Sequence, residues 1–108
     1  IDFWASWCRP CRMENPNVVK MYERFKNKGF EIYGVSLDQN MNPWKKAIFD
    51  DRITWVQVSD LKGWSSSAAQ LYSVTSIPQT VLIDRDGKII AKGLRGAALE
   101  QKVESLLN

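Results

Sequence analysis

Cys8 and Cys11, three residues apart in the stretch IDFWASWCRPCRMENP, are the only two cysteines in the chain. A Cys-x-x-Cys pair can cycle between dithiol and disulfide. One thiolate attacks a partner's disulfide, and the second thiol then attacks the mixed disulfide and releases the product. Two other readings stand beside this one. A structural bridge would normally close a longer loop, because a short one constrains the unfolded chain little. A zinc site would need a second pair of ligands that the sequence does not supply. There is no histidine at all, so no Cys–His or Ser–His couple can operate. Ser65, Ser66 and Ser67 have no base to activate them and read as a helix start.

The positions around the pair sharpen the redox reading. A helix is expected from Arg9 to about Lys28, which places Cys8 where backbone N–H groups lack intrahelical partners and the helix dipole is positive. Each effect favours a thiolate, by about 0.3–1 kcal/mol at an ordinary exposed site. Arg9 adds a neighbouring positive charge, and together they are expected to hold the Cys8 thiol below its ordinary pKa. Pro10 is tolerated because a first-turn residue needs no N–H partner, and it stiffens the loop between the sulfurs. The helical repeat sets Cys11, Glu14, Val18, Tyr22 and Phe25 on one face. Its apolar members mark that face as buried, so Cys11 is expected to be shielded while Cys8 stands at an exposed tip. Glu14 is the odd member of the stripe. A partly buried carboxylate there could manage the Cys11 proton; alternatively it is a first-turn glutamate that suits the helix N-terminus. Asp2 alternates to the face opposite Phe3, either beneath the dithiol or toward solvent.

The elements that must carry these residues follow from periodicity and turn signals. Ile1–Ala5 reads as a short apolar strand, and Gly29 ends the first helix. Phe30–Leu37 (FEIYGVSL) reads as a buried strand. Asn42 and Pro43 look like the N-cap and first residue of a helix reaching about Asp51, with Trp44, Ala47 and Ile48 on one face. Trp55–Val58 is a strand, and Ser65–Tyr72 a short helix with Ala68, Leu71 and Tyr72 inward. Thr80–Asp84 and Lys88–Lys92 form a hairpin turning at Asp86-Gly87. Ala97–Leu107 closes the chain as a helix with Leu99, Val103 and Leu106 on one stripe. The order β-α-β-α-β-α-β-β-α predicts an α/β fold: a mixed sheet, parallel at its start and antiparallel at its end, covered by helices.

At 108 residues with 44% hydrophobic and 25% charged, the chain suits a single domain with one core. The net charge of +3 is spread along the sequence without a nucleic-acid motif, so that partner class is set aside. No apolar run is long enough to span a membrane. Of the five tryptophans, Trp4, Trp44, Trp55 and Trp64 read as packing residues, and Met13 as helix surface.

In combination, DFWASWCRPC, Pro16 five residues after Cys11, and Ser76-Ile77-Pro78-Gln79-Thr80 resemble the thioredoxin superfamily. Glu14 within CRMENP, the segment FEIYGVSLD and the helix NPWKKAIFDD narrow the resemblance to the TlpA/ResA-like branch of extracytoplasmic thiol–disulfide oxidoreductases. The resemblance covers nearly the whole chain. It implies a thioredoxin-like fold, Cys8 as nucleophile and Cys11 as resolving cysteine. Asp2 matches the buried aspartate of thioredoxins proper, and Glu14 the buried glutamate of the ResA-like group. Pro78 matches the cis-proline facing the dithiol, where the backbone of Ile77 pairs with an extended substrate segment, and Trp7 flanks the substrate groove. Arg9 and Pro10 occupy the place of the familiar Gly-Pro. Pro16 matches the proline that kinks the first helix.

The resemblance further implies no bound cofactor beyond the Cys8–Cys11 disulfide, protein disulfides as substrates, a dithiol electron donor that could be membrane-borne, a monomer, and an extracytoplasmic location. Two departures stand out. Thioredoxins proper offer Asp2 a lysine on the neighbouring strand, and EIYGVSLD has none. The strand and helix that precede the first strand in this family are also missing, so residues 1–108 are expected to be one domain at the C-terminal end of a longer chain. The alternatives are a non-catalytic thioredoxin-fold interaction or sensor module, and a thiol peroxidase of the peroxiredoxin type. The latter would need a threonine three residues before its reactive cysteine, where Cys8 has Ala5.

Overall fold

Phe3 and Trp4 lie at the centre of the sheet in the computed structural model, which describes residues 1–107. Their strand, β1 (Asp2–Trp4), pairs in parallel with β2 (Tyr33–Ser36), and β2 pairs in parallel with β3 (Val56–Val58). On the other side β1 pairs antiparallel with β4 (Gln79–Ile83), which turns back into β5 (Ile89–Lys92). The five-stranded order is β3-β2-β1-β4-β5. It is the mixed sheet that the order of the elements predicts.

Helix α1 (Arg9–Phe25) continues through a 3-10 turn at Lys26–Lys28 and stops at Gly29, whose φ of 93° suits a residue without a Cβ. Its buried stripe is Cys11, Asn15, Val18, Met21 and Phe25. Crossovers of one hand put α1 and α2 (Met41–Asp50) on the same face of the sheet. Helix α4 (Gly96–Leu107) packs beside α1 on that face. On the opposite face Phe3 meets the ring of Tyr72, just past α3 (Ser67–Leu71), at 5.8 Å.

Several expectations shift by a few residues. β2 is shorter than Phe30–Leu37, although Ile32 and Leu37 are buried beside it. α2 begins at Met41 with Asn40 as the capping residue, not Asn42. Pro43 then falls within the first turn, where its missing N–H is harmless. Leu71 is 79% exposed instead of inward. A 3-10 turn at Gly63–Ser65 precedes α3, and Ser66 caps the helix by accepting the Ala69 N–H at 3.3 Å. That phase buries Ala69 in place of Leu71. On α4, Leu106 is half exposed, while Val103 is buried and Leu99 and Leu107 pack against the core. The inward stripe runs 99, 103, 107, a spacing of four residues at each step, which stays on one helix face. Trp4, Trp44 and Trp55 are buried as expected, whereas Trp64 is half exposed.

Candidate active site

Residues Ala5–Cys8 carry the chain from the C-terminal end of β1 into α1. Cys8 is the N-cap of α1: its backbone is extended, and its Sγ accepts the Cys11 N–H at 3.2 Å. The sulfur therefore sits against a donor at the positive end of the helix, an arrangement that favours negative charge. Cys8 and Cys11 form a disulfide with their Cα atoms 5.2 Å apart. Arg9 and Pro10 fill the first turn between them, both exposed.

Cys11 is 1% exposed and Cys8 5%. The expected order of shielding is present, but Cys8 is not an exposed tip. The loop before β4 covers it: Ile77 O lies 3.8 Å from Cys8 Sγ, and the Ile77–Pro78 peptide bond is cis. Trp7, beside Cys8, is 57% exposed.

Behind the disulfide, Asp2, Cys11, Glu14, Pro78, Thr80 and Arg95 help line a cavity of about 20 Å3, room for one water molecule. Asp2 thus lies beneath the dithiol while remaining partly exposed. Its carboxyl is pushed up to about 7, chiefly by burial; the neighbouring amino terminus opposes this, and the Glu14 charge adds to it. Glu14 is half-buried, and its Oε1 accepts the backbone N–H of Gly96 at 3.1 Å, at the start of α4. The larger cavity, about 590 Å3, lies at the other end of β1 and does not reach the cysteines.

A second polar network holds the Ser6–Trp7 turn in place. Asp38, 2% exposed, accepts the Ser6 N–H at 3.0 Å and the hydroxyls of both Ser6 and Ser36. Arg12 donates to Ser6 O at 3.0 Å and makes a two-pronged bond to Asp51, at 2.6 and 3.0 Å. Asn15 donates to the same carboxylate at 2.8 Å. The Asp51 bond holds the Arg12 guanidinium above its ordinary pKa. Sequence reasoning did not single out Ser6, Arg12, Asn15, Ser36, Asp38 or Asp51. The available signal was Asp38 directly after the apolar run ending at Leu37, where a carboxylate must find donors.

Among the described residues no group of three or more Cys, Asp or Glu side chains is placed to hold a metal ion. The AhpC/TSA family model matches residues 1–92. The chain belongs to that family. This AhpC/TSA-family chain has close structural counterparts. It superposes on the thioredoxin domain of a thiol-disulfide oxidoreductase from Bacteroides vulgatus with a TM-score of 0.91 and 44% identity, covering 99% of this chain and 76% of that one. It matches a thiol-disulfide oxidoreductase from Bacteroides fragilis with a TM-score of 0.91 and 38% identity, covering 97% of this chain and 77% of that one. The thiol-disulfide oxidoreductase ResA of Bacillus thuringiensis is 29% identical over 107 residues, 99% of this chain and 60% of the relative. The AhpC/TSA chain is thus a thioredoxin-fold protein of the TlpA/ResA-like branch, and it spans about 60% of the length of the ResA proteins it matches.

Proposed function

We propose that the chain is the catalytic domain of a thiol–disulfide oxidoreductase that reduces or exchanges disulfides in other proteins. The observation that carries this reading is the placement of Cys8 as the N-cap of α1, bonded to Cys11 and facing Ile77 O. Reduced Cys8 keeps the Cys11 N–H and the helix end as partners for a thiolate. That thiolate attacks one sulfur of a substrate disulfide, forming a mixed disulfide and expelling the substrate's other sulfur as a thiolate. Cys11 then gives up its proton and attacks Cys8 Sγ. This step restores the Cys8–Cys11 bond and releases the reduced substrate. In the course of it two electrons pass from the protein to the substrate.

Asp2 is the acceptor for the Cys11 proton. A carboxyl near 7 is matched to that task at neutral pH, and the small cavity lets one water bridge the two groups. Glu14 acts beside it. Trp7 and the Ile77–Pro78 segment hold an extended stretch of substrate, with Arg9 and Pro10 shaping the other edge. A dithiol protein, soluble or membrane-borne, re-reduces the disulfide. The chain works outside the cytoplasm, as a monomeric domain of a longer protein. Among the described residues no helix is long and apolar enough to cross a membrane.

Insulin reduction with dithiothreitol, compared with a Cys8→Ser control, tests the proposal. Turnover lost in the control supports it. Equal, background rates in both would leave an interaction module as the better reading. Cys11→Ser should arrest the mixed disulfide and retain substrate proteins covalently.

A further inference from the structure

Three residues stand in one row across the sheet. Asp2 on β1 is in register with Gly34 on β2, and Gly34 with Gln57 on β3. Residues so paired point to the same face, here the face that carries Trp4 and α1. Gly34 has no side chain, and Gln57 uses the space. A Cβ built at Gly34 would fall 2.6 Å from Gln57 Cδ and closer still to its Nε2. The amide therefore lies over the bare Cα of Gly34, in the row that Asp2 shares.

The orientation of that amide is fixed by Trp4. The indole N–H can only donate, and Gln57 Oε1 accepts it at 2.9 Å. Nε2 is left as the free end, buried and without a hydrogen-bond partner among the described residues. A buried amide donor without an acceptor costs free energy, and the same row carries the Asp2 carboxylate two strands away, about 9.6 Å between backbones at the ordinary spacing of about 4.8 Å per strand. We propose that Gln57 is a positioning residue for the Asp2 carboxylate, its Nε2–H reaching across Gly34 through one water to hold Asp2 ionised and oriented for the Cys11 proton. The inference rests on the oxidoreductase reading for its purpose, but not for its geometry. It supplies the partner that EIYGVSLD lacks: the donor comes from one strand further out, over a glycine.

Other groups face Asp2 and are held constant in the test. They are Glu14 and Cys11 from α1, Arg95 from the turn before α4, and the amino group of Ile1. β2 contributes no charge in this row, and β4 contributes Thr80.

The test is a titration of the Asp2 carboxyl by carbon NMR in the reduced full chain, for wild type, Gln57→Leu and Gly34→Ala. Loss of a donor to the ionised form should raise the Asp2 pKa by roughly one pH unit in Gln57→Leu. Gly34→Ala should raise it too, since a methyl there displaces the amide while leaving Gln57 and Asp2 in place; it also carries the test should Gln57→Leu not fold. The pH midpoint of Cys8-dependent insulin reduction should move by the same amount. An Asp2 pKa that is unchanged or lowered in the folded variants overturns the proposal. Absence of Cys8-dependent turnover together with a shifted Asp2 titration would instead overturn the function and leave the Gln57–Asp2 coupling standing.

Discussion

Glu14 Oε1 accepts the backbone N–H of Gly96 at 3.1 Å, so a carboxylate one turn below Cys11 also caps the helix that packs beside α1. Glu14 serves a helix N-terminus, that of α4 and not its own, and it faces the cavity that Cys11 and Asp2 share.

Glu14→Gln keeps an acceptor for Gly96 and removes the charge. The lost attraction to the α4 terminus should cost about 0.3–1 kcal/mol of stability. Asp2 should fall below about 7, because the Glu14 charge is one of the causes that raise it, and a weaker base accepts the Cys11 proton less readily. Stopped-flow kinetics of mixed-disulfide resolution should therefore slow several-fold while the fold persists. Unchanged kinetics would remove Glu14 from the proton path.

Asp2 makes stability depend on pH in a defined direction. Its carboxyl rises from 3.8 to about 7 on folding, mainly through burial, so the native state holds a proton that the unfolded chain has already released. Stability is then greatest below pH 3.8 as far as this group is concerned, falls as pH climbs, and levels off above about 7. Asp2→Asn abolishes the dependence. It should match wild type near the acid end of the window and exceed it by roughly 2–4 kcal/mol at pH 8, even as resolution by Cys11 slows. Urea denaturation of both proteins at the two pH values checks this; a variant less stable than wild type at pH 8 would contradict it.

The succession of elements, the mixed sheet and the dithiol could be read from the sequence because their signals are local. They rest on strand–helix–strand spacing, a Gly-bearing hairpin turn, and two cysteines at a helix start. What could not be read depends on contacts between distant segments. Cys8 is covered by Ile77, 69 residues away, so helical phase alone placed it too far into solvent. Asp38 is buried because Ser6, from 32 residues earlier, brings it an N–H and a hydroxyl. Gln57 reads as one polar residue of an edge strand until the register puts Gly34 between it and Asp2.

The Asp38 network predicts a stability effect that originates at the active-site turn. Asp38→Ala strips the Ser6 N–H and the hydroxyls of Ser6 and Ser36 of their common acceptor. Leaving buried donors unpaired costs about 1–3 kcal/mol per group, partly relieved here by water entering the half-buried Ser6. A net loss of roughly 2–4 kcal/mol is expected in chemical denaturation. Because Ser6 and Trp7 lead directly into Cys8, the folded fraction should also show slower attack on a small disulfide. Full stability in Asp38→Ala would mean that the turn is held by Arg12 and the backbone alone.

Arg9 sets a prediction about redox poise. It is exposed and directly follows Cys8, so its charge favours the thiolate of the reduced form and leaves the disulfide without comparable benefit. Anything that stabilises the reduced form makes the disulfide more oxidising. Arg9→Gly should therefore lower the reduction potential. At an exposed site one such charge contributes about 0.2–1 kcal/mol, which converts to roughly 5–20 mV for a two-electron couple. The difference should shrink in 1 M salt, where screening extends to about 3 Å. Equilibration of both proteins against glutathione at low and high salt measures it, and a potential for Arg9→Gly at or above wild type would show that the thiolate is governed by the helix end and the Cys11 N–H without help from Arg9.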